Sequence, residues 1–271
     1  MSGTGRAVLV TGGGRGLGRA IAERLAQEGA RVGLLARTIA ELEQAAGSIR
    51  ELGGSAAAFP ADVLDAKALR QAIGQFRAWA GGFDDLVCAA GRMKAVGPLA
   101  TVDPDSWWCD VETAVRGFQL CVREALPFLG EARPATISVL VGPGHNGDLP
   151  FATGYAAGQA ALVRLVESLA RELAADRVAV FAVNPGLVVT DLVRSLVETA
   201  EGRRWLPRFT EALAEGKEVG PEVVAEMVAW LIDRRPAELN GRVVASALAP
   251  LVIETRLERI RDDNLGVLRL R

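Results

Sequence analysis

Chemistry in this chain has few places to reside. It has one tyrosine, Tyr155, one histidine, His145, and only three lysines, Lys67, Lys94 and Lys217, against 28 arginines. The segment Thr11–Gly18, carrying Gly12, Gly14, Gly16 and Gly18, lies between a compact apolar run and a helical pattern that includes Leu17. Glycines there let the backbone turn tightly and approach a pyrophosphate, which then rests on N–H groups at a helix N-terminus. The spacing is GxxxGxG through Gly12, Gly16 and Gly18, distinct from the commoner GxGxxG dinucleotide fingerprint. That context argues against an ordinary strand-to-helix turn.

These groups need a frame. Short apolar runs alternate with longer helical patterns along the whole chain. Strands are expected at Ala7–Thr11, Val32–Ala36, Ala56–Pro60, Asp85–Ala90, Thr136–Val141, Val178–Val183 and Arg242–Ala247. The helices between them run from Leu17 to Gly29, Ala40–Leu52, Ala66–Ala80, about Trp107–Leu129, Ala156–Ala174 and Pro221–Ile232. Unbroken Val/Ile/Leu runs mark strands buried on both faces. Strand–helix alternation of this kind predicts an α/β fold, a Rossmann-like, doubly wound parallel sheet with helices on both faces. No linker divides residues 1–271, so a single dinucleotide-binding domain is expected. The longest insertion, Asp191–Glu218, follows a strand end and is read as a substrate lid. The tail, 249–271, carries no chemical motif and is read as a possible subunit cap.

Composition narrows the function classes. Half the residues are apolar and the formal net charge is -2, so no basic excess supports nucleic-acid binding. Cys88, Cys109 and Cys121 have no metal-ligand spacing and read as packing groups in a reducing compartment. No apolar stretch approaches a membrane span, and no signal peptide fits before the first motif. A cytoplasmic protein with no membrane partner is expected.

The glycine loop, TGxxxGxG near the N-terminus, opens a series of motifs at successive strand ends. Asp62-Val63 follows the third strand, Ala89-Ala90-Gly91 the fourth, and Asn184-Pro185-Gly186-Leu187-Val188-Val189-Thr190 the sixth. In this order they resemble the short-chain dehydrogenase/reductase family over nearly the whole chain. The resemblance implies that Asp62 and Val63 contact an adenine and that Ala89-Ala90-Gly91 stands for an NNAG motif, with Cys88 in place of its first Asn. It further implies that Pro185, Gly186, Val188 and Thr190 hold a nicotinamide carboxamide, and that a homodimer or homotetramer forms. Charge points to NADP(H) over NAD(H). A ribose diol is read by a carboxylate about 20 residues past the loop, whereas a 2′-phosphate calls for Arg. Ala36-Arg37-Thr38 has no acid, and Arg15 and Arg37 together are read as a phosphate clamp, the alternative being two surface arginines.

The resemblance also implies a catalytic Tyr, with Lys four residues later, Ser about a dozen before and Asn in the preceding helix. Here Tyr155 is kept. Gln159 stands for the Lys, Gly142 for the Ser and Ala114 for the Asn. No Lys between Ala95 and Gly216 replaces the missing one, and Arg164 falls on the opposite face of the helix. Lys94 is either a substitute or a surface lysine. His145 is either a surface residue or a proton donor oriented by Asp148. An unperturbed tyrosine is about one part in a thousand phenolate at neutral pH, so oxidation of an alcohol suffers most and reduction of a carbonyl least. Two readings stand. One is an NADP(H)-dependent reductase of a small carbonyl or enone, in which restoring Lys at Gln159 and Ser at Gly142 should raise turnover. The other is a catalytically silent NADP(H)-binding regulatory module.

Overall fold

The computed structural model describes residues 5–130 and 133–268. The chain opens with β1 (Ala7–Thr11), α1 (Gly16–Gln27), β2 (Arg31–Ala36), α2 (Ile39–Glu51), β3 (Ser55–Pro60) and α3 (Ala66–Ala80). Its second half starts with β4 (Asp85–Cys88), α4 (Pro104–Ala125), β5 (Ala135–Leu140), α5 (Thr153–Glu172) and β6 (Val178–Asn184). Three short helices follow: α6 (Asp191–Glu198), α7 (Ala200–Trp205) and α8 (Pro207–Ala214). Then come α9 (Pro221–Arg234), β7 (Val243–Ala245), α10 (Pro250–Glu254) and α11 (Leu257–Asp262).

All seven strands are parallel, in the order β3-β2-β1-β4-β5-β6-β7. The expected doubly wound sheet is therefore present. Alternate residues of β1 serve opposite layers. Ala7 and Leu9 pack with α3, α4 and α5, whereas Val8 and Val10 pack with α1, α2 and α9. The order reverses between β1 and β4, which opens a crevice at the C-terminal ends of the strands.

Element boundaries moved where side chains cap helices or strands part. Asp103 accepts from the Ser106 amide at 2.7 Å, so α4 starts before Trp107. Strand β4 ends at Cys88, two residues early, because Ala89 and Ala90 turn toward β1. There the Ala89 amide donates to the Thr11 carbonyl at 3.2 Å. The tail is structured up to residue 268, with Ile253 of α10 in the core and Arg164 donating to the Leu268 carbonyl at 3.1 Å. Its last residues, 269–271, lie outside the described residues. No helix among the described residues is long and apolar enough to cross a membrane.

The opposite edge of the sheet is tied by a buried ion pair. Arg6 reaches Asp85 through Nε at 2.5 Å and Nη2 at 2.7 Å, and Asp85 also accepts from the Thr136 amide and hydroxyl. One side chain thus clamps β1, β4 and β5 together. Removing one partner of such a pair strands a buried charge, at a cost of about 3–5 kcal/mol. Asp85→Leu or Arg6→Met alone should lower the unfolding free energy by that order, read as a lower urea midpoint. The double substitution should recover most of the loss, because no unpaired charge remains.

Candidate active site

The floor of the crevice is built from backbone. Gly12 has φ +66°, and a Cβ on it would lie 2.9 Å from the carbonyl of Ala89 and the amide of Ala90. A Cβ on Gly18, in the first turn of α1, would lie 2.3 Å from the Gly12 carbonyl oxygen. No side chain fits at either place, so the loop forms a cradle of bare backbone at a helix N-terminus. That is the shape and polarity a pyrophosphate needs. Thr190, which caps α6, lies across the opening within 3.5 Å of where a Cβ on Gly16 would stand. Gly186 turns the chain there with φ +70°, held by a bond from its amide to the Asn184 side chain at 3.0 Å. Pro185 and Val188 are buried beneath.

The two arginines lie against different carboxylates in this structure. Arg15 pairs with Asp191 of α6 at 3.2 Å and lies 3.8 Å from Glu41 of α2, while Arg37 lies 3.9 Å from Asp62. Exposed pairs of this kind contribute little, so an incoming phosphate displaces them readily. Asp62 itself accepts from the Leu64 amide at 3.0 Å, and Val63 is buried beside Gly117 of α4. Cys88 is buried, and its neighbour Cys121 together with burial pushes its thiol well above the usual range. That excludes a reactive thiolate and agrees with a packing role.

Tyr155 and Gln159 stand four residues apart near the start of α5, on one face. Both are buried. The Gln159 Oε1 accepts from the Gly142 amide at 2.7 Å, and His145 Nδ1 lies 2.8 Å from the Gly142 carbonyl. A carbonyl only accepts, so Nδ1 carries a proton. The Gly142 peptide groups are thus held on both sides. A Cβ on Gly142 would stand 2.0 Å from the Tyr155 hydroxyl, so this hydroxyl occupies space that any side chain at 142 would need. Restoring Ser there would displace Tyr155, which corrects the expectation that Gly142→Ser together with Gln159→Lys simply rebuilds a faster site. Ala114 packs against α5, where a Cβ on Gly158 would lie 2.9 Å from its own.

Other expectations change as well. His145 is buried rather than on the surface, and it is oriented by Gly142, not by the exposed Asp148. The Lys94 side chain is exposed; what is held is its amide, which donates to Asp110 at 2.9 Å. Arg164 faces outward as expected, paired with Glu167 at 2.5 Å. Asp110 escaped the sequence reading, although an acid four residues before Ala114 on the inner stripe of α4 was the available signal. Fully buried, it accepts from Arg92 Nε at 2.8 Å and the Ala95 amide at 2.8 Å, fixing the β4–α4 loop at the crevice.

Burial raises the Tyr155 pKa above its ordinary value, and the Asp110 carboxylate adds to the shift. Among the described residues no cation stands beside the phenol to oppose it. The Tyr155 phenol is therefore protonated at neutral pH. Because the chain has one tyrosine, its ultraviolet phenolate signal is unambiguous. The native protein should show almost no phenolate at pH about 10, where an unfolded tyrosine is half ionised. The sign follows from linkage: the folded state holds this proton more tightly, so the contribution to stability is full below pH about 10 and is lost as pH rises further. Gln159→Lys should bring the titration down.

A family model for the short chain dehydrogenases matches residues 6–201. The short chain dehydrogenase mpl6 of Monascus purpureus is 32% identical over 272 residues, 97% of this chain and 88% of that one. Among solved structures, a short chain dehydrogenase from Burkholderia cenocepacia J2315 in complex with NADP aligns with TM-score 0.75 and 28% identity, over 89% of this chain and 96% of that one. The 3-ketoacyl-(acyl-carrier-protein) reductase from Brucella melitensis complexed with NADH aligns with TM-score 0.79 and 27% identity, over 90% and 97%. Strand order, glycine cradle and the matched span agree: the chain belongs to the short chain dehydrogenase family.

Proposed function

We propose that this protein is an NADP(H)-dependent reductase of small carbonyl or enone compounds, with Tyr155 as its proton donor. The observation that carries this reading is the buried, protonated Tyr155 hydroxyl packed on Gly142 just past β5, at the same C-terminal edge of the sheet as the bare-backbone Gly12–Gly18 loop past β1. When bound, the reduced nicotinamide supplies the hydride that a carbonyl carbon accepts. The chain's own residues do the rest. The Gly12–Gly18 loop binds the pyrophosphate, Asp62 and Val63 border the adenine, and the Ala89–Gly91 and Pro185–Thr190 segments position the nicotinamide end. Tyr155 donates its proton to the substrate oxygen and regains one from solvent. Gln159 and His145 hold the Gly142 loop against it, and the α6–α8 insertion acts as a lid that excludes water. Association through α4 and α5 into a homodimer or homotetramer belongs to the same reading, supported by Trp108, which stands exposed on α4.

The preference for NADP(H) rests on Arg37, whose guanidinium is exposed just past β2 where an acidic ribose reader is lacking. Arg15 joins it by leaving Asp191. A charge-assisted contact of this kind is worth about 1.5–3 kcal/mol, or roughly tenfold to a hundredfold in affinity. Arg37→Ala should weaken NADPH by that factor in calorimetry and leave NADH nearly unchanged. Equal affinities for the two nucleotides in the wild type would remove the phosphate reading.

A second reading is favoured by one contact. The Gln159 carbonyl is spent on the Gly142 amide, so the side chain that replaces the Lys is committed to the loop that replaces the Ser. A binding or regulatory module that holds NADP(H) without turnover would look the same. Consumption of NADPH against a panel of ketones and enones separates the two. Turnover that falls by about a hundredfold or more in Tyr155→Phe supports the reductase. Tight NADPH binding with no turnover on any compound supports the silent module.

A further inference from the structure

The side chains around Tyr155 come from two loops that border the crevice and from the lid. Met93 lies on the β4–α4 loop and Leu149 on the β5–α5 loop, while Leu196, Leu206 and Phe209 come from the lid. All five are buried and pack in one cluster with Tyr155. The lid is two-sided. Its charged residues, among them Asp191, Arg194, Arg203, Arg204 and Arg208, are exposed, and its buried residues are apolar apart from Gly202. At the rim, Phe151 stacks on Trp205 with ring centroids 4.7 Å apart, and Arg204 covers the outer side of Trp205. Phe151 adopts φ +66°, a left-handed conformation that a bulky residue rarely takes, so the stack is made at the expense of local strain.

Of the charged groups around this cluster, Lys94, Arg204 and Arg208 are exposed, the last lying over the Phe209 ring, and others are engaged. Asp110 is surrounded by Arg92 and the amides of Lys94 and Ala95, and Glu201 accepts from the Trp205 indole at 2.7 Å. Arg203 donates to main-chain carbonyls of its own lid. His145 Nδ1 donates to Gly142. An anion entering beside Tyr155 would shed its water and meet hydrocarbon, and burial of an unpaired charge is strongly unfavourable. A neutral carbonyl meets no such barrier. With water excluded, its hydrogen bond from the Tyr155 hydroxyl is also stronger than it would be in solvent.

We propose that this site accepts uncharged, predominantly apolar ketones or enones and rejects those that carry a carboxylate or phosphate next to the carbonyl. The lid residues Leu206 and Phe209 set that selection. The proposal rests on the reductase reading of Tyr155, so its test reads binding separately from turnover. Two matched probes are 1-phenylpropane-1,2-dione and phenylglyoxylate, the same aryl ketone with a methyl ketone or a carboxylate beside it. Each is titrated into the NADP-saturated protein while tryptophan fluorescence is followed, with Trp205→Phe as the control that assigns the signal to the rim.

The dione should bind at least about tenfold tighter than the anion, the order expected when a single desolvated charge is left unpaired. Leu206→Arg should narrow or reverse that ratio. If that variant does not fold, Leu192→Arg, at a half-buried lid position, introduces the same charge at the edge of the cluster. Phenylglyoxylate binding as tightly as the dione, or neither probe binding, overturns the proposal. An unchanged ratio in a folded arginine variant overturns the role of the lid. Selective binding of the dione with no NADPH consumed upholds the pocket and defeats the reductase reading instead.

Discussion

Two stretches of backbone meet at Gly12, and everything functional in this protein is built around that meeting. Strands β1 and β4 are neighbours, but the chain leaves them toward opposite halves of the sheet. Their ends can stay together only if nothing stands between the loop after β1 and the turn after β4. At Gly12 the approach is so close that a Cβ would lie 2.9 Å from the Ala89 carbonyl, and Gly18 is closer still to the Gly12 oxygen. The absence of side chains thus does two things. It lets the switch point of the sheet close at the bottom, and it leaves N–H groups bare at the start of α1 for a phosphate.

The β5–α5 loop follows the opposite logic, because there a missing side chain is filled by a neighbour. The Tyr155 hydroxyl stands where a residue larger than glycine at 142 would place its Cβ, and Gln159 turns back to the Gly142 amide. The three positions form one unit. Adding a hydroxyl at 142 moves the tyrosine, and adding a cation at 159 releases the loop. Such sites are non-additive by construction, since each substitution changes the surroundings of the other. The phenol stays protonated because it is buried and because the negative Asp110 adds to the shift.

The α6–α8 insertion, proposed above as a lid, closes over Tyr155 from one side. Its amphipathic helices turn apolar residues onto Tyr155 and leave charges in water, the pattern of a surface helix that packs on a core. Its first helix is held to the glycine loop by the Arg15–Asp191 pair, and the end of α7 is held to the β5–α5 loop by the Phe151–Trp205 ring contact. The first contact is electrostatic and exchangeable with an anion. The second is apolar.

Much of this was legible in the residues alone. The unbroken apolar runs and the glycine spacing specify a parallel sheet with a phosphate loop at its switch point, because buried strands and bare backbone each leave a local compositional mark. Tyr155 with Gln159 four residues on was visible for the same reason: helical spacing is local. What the sequence did not contain was distance between segments far apart in the chain. The burial of His145, the clash that keeps position 142 a glycine, the gathering of loop amides by Asp110, and the diversion of Arg15 to Asp191 all depend on how separate loops converge. Only the packed tertiary structure decides them, because the energy of a buried polar group depends on partners that lie tens of residues away.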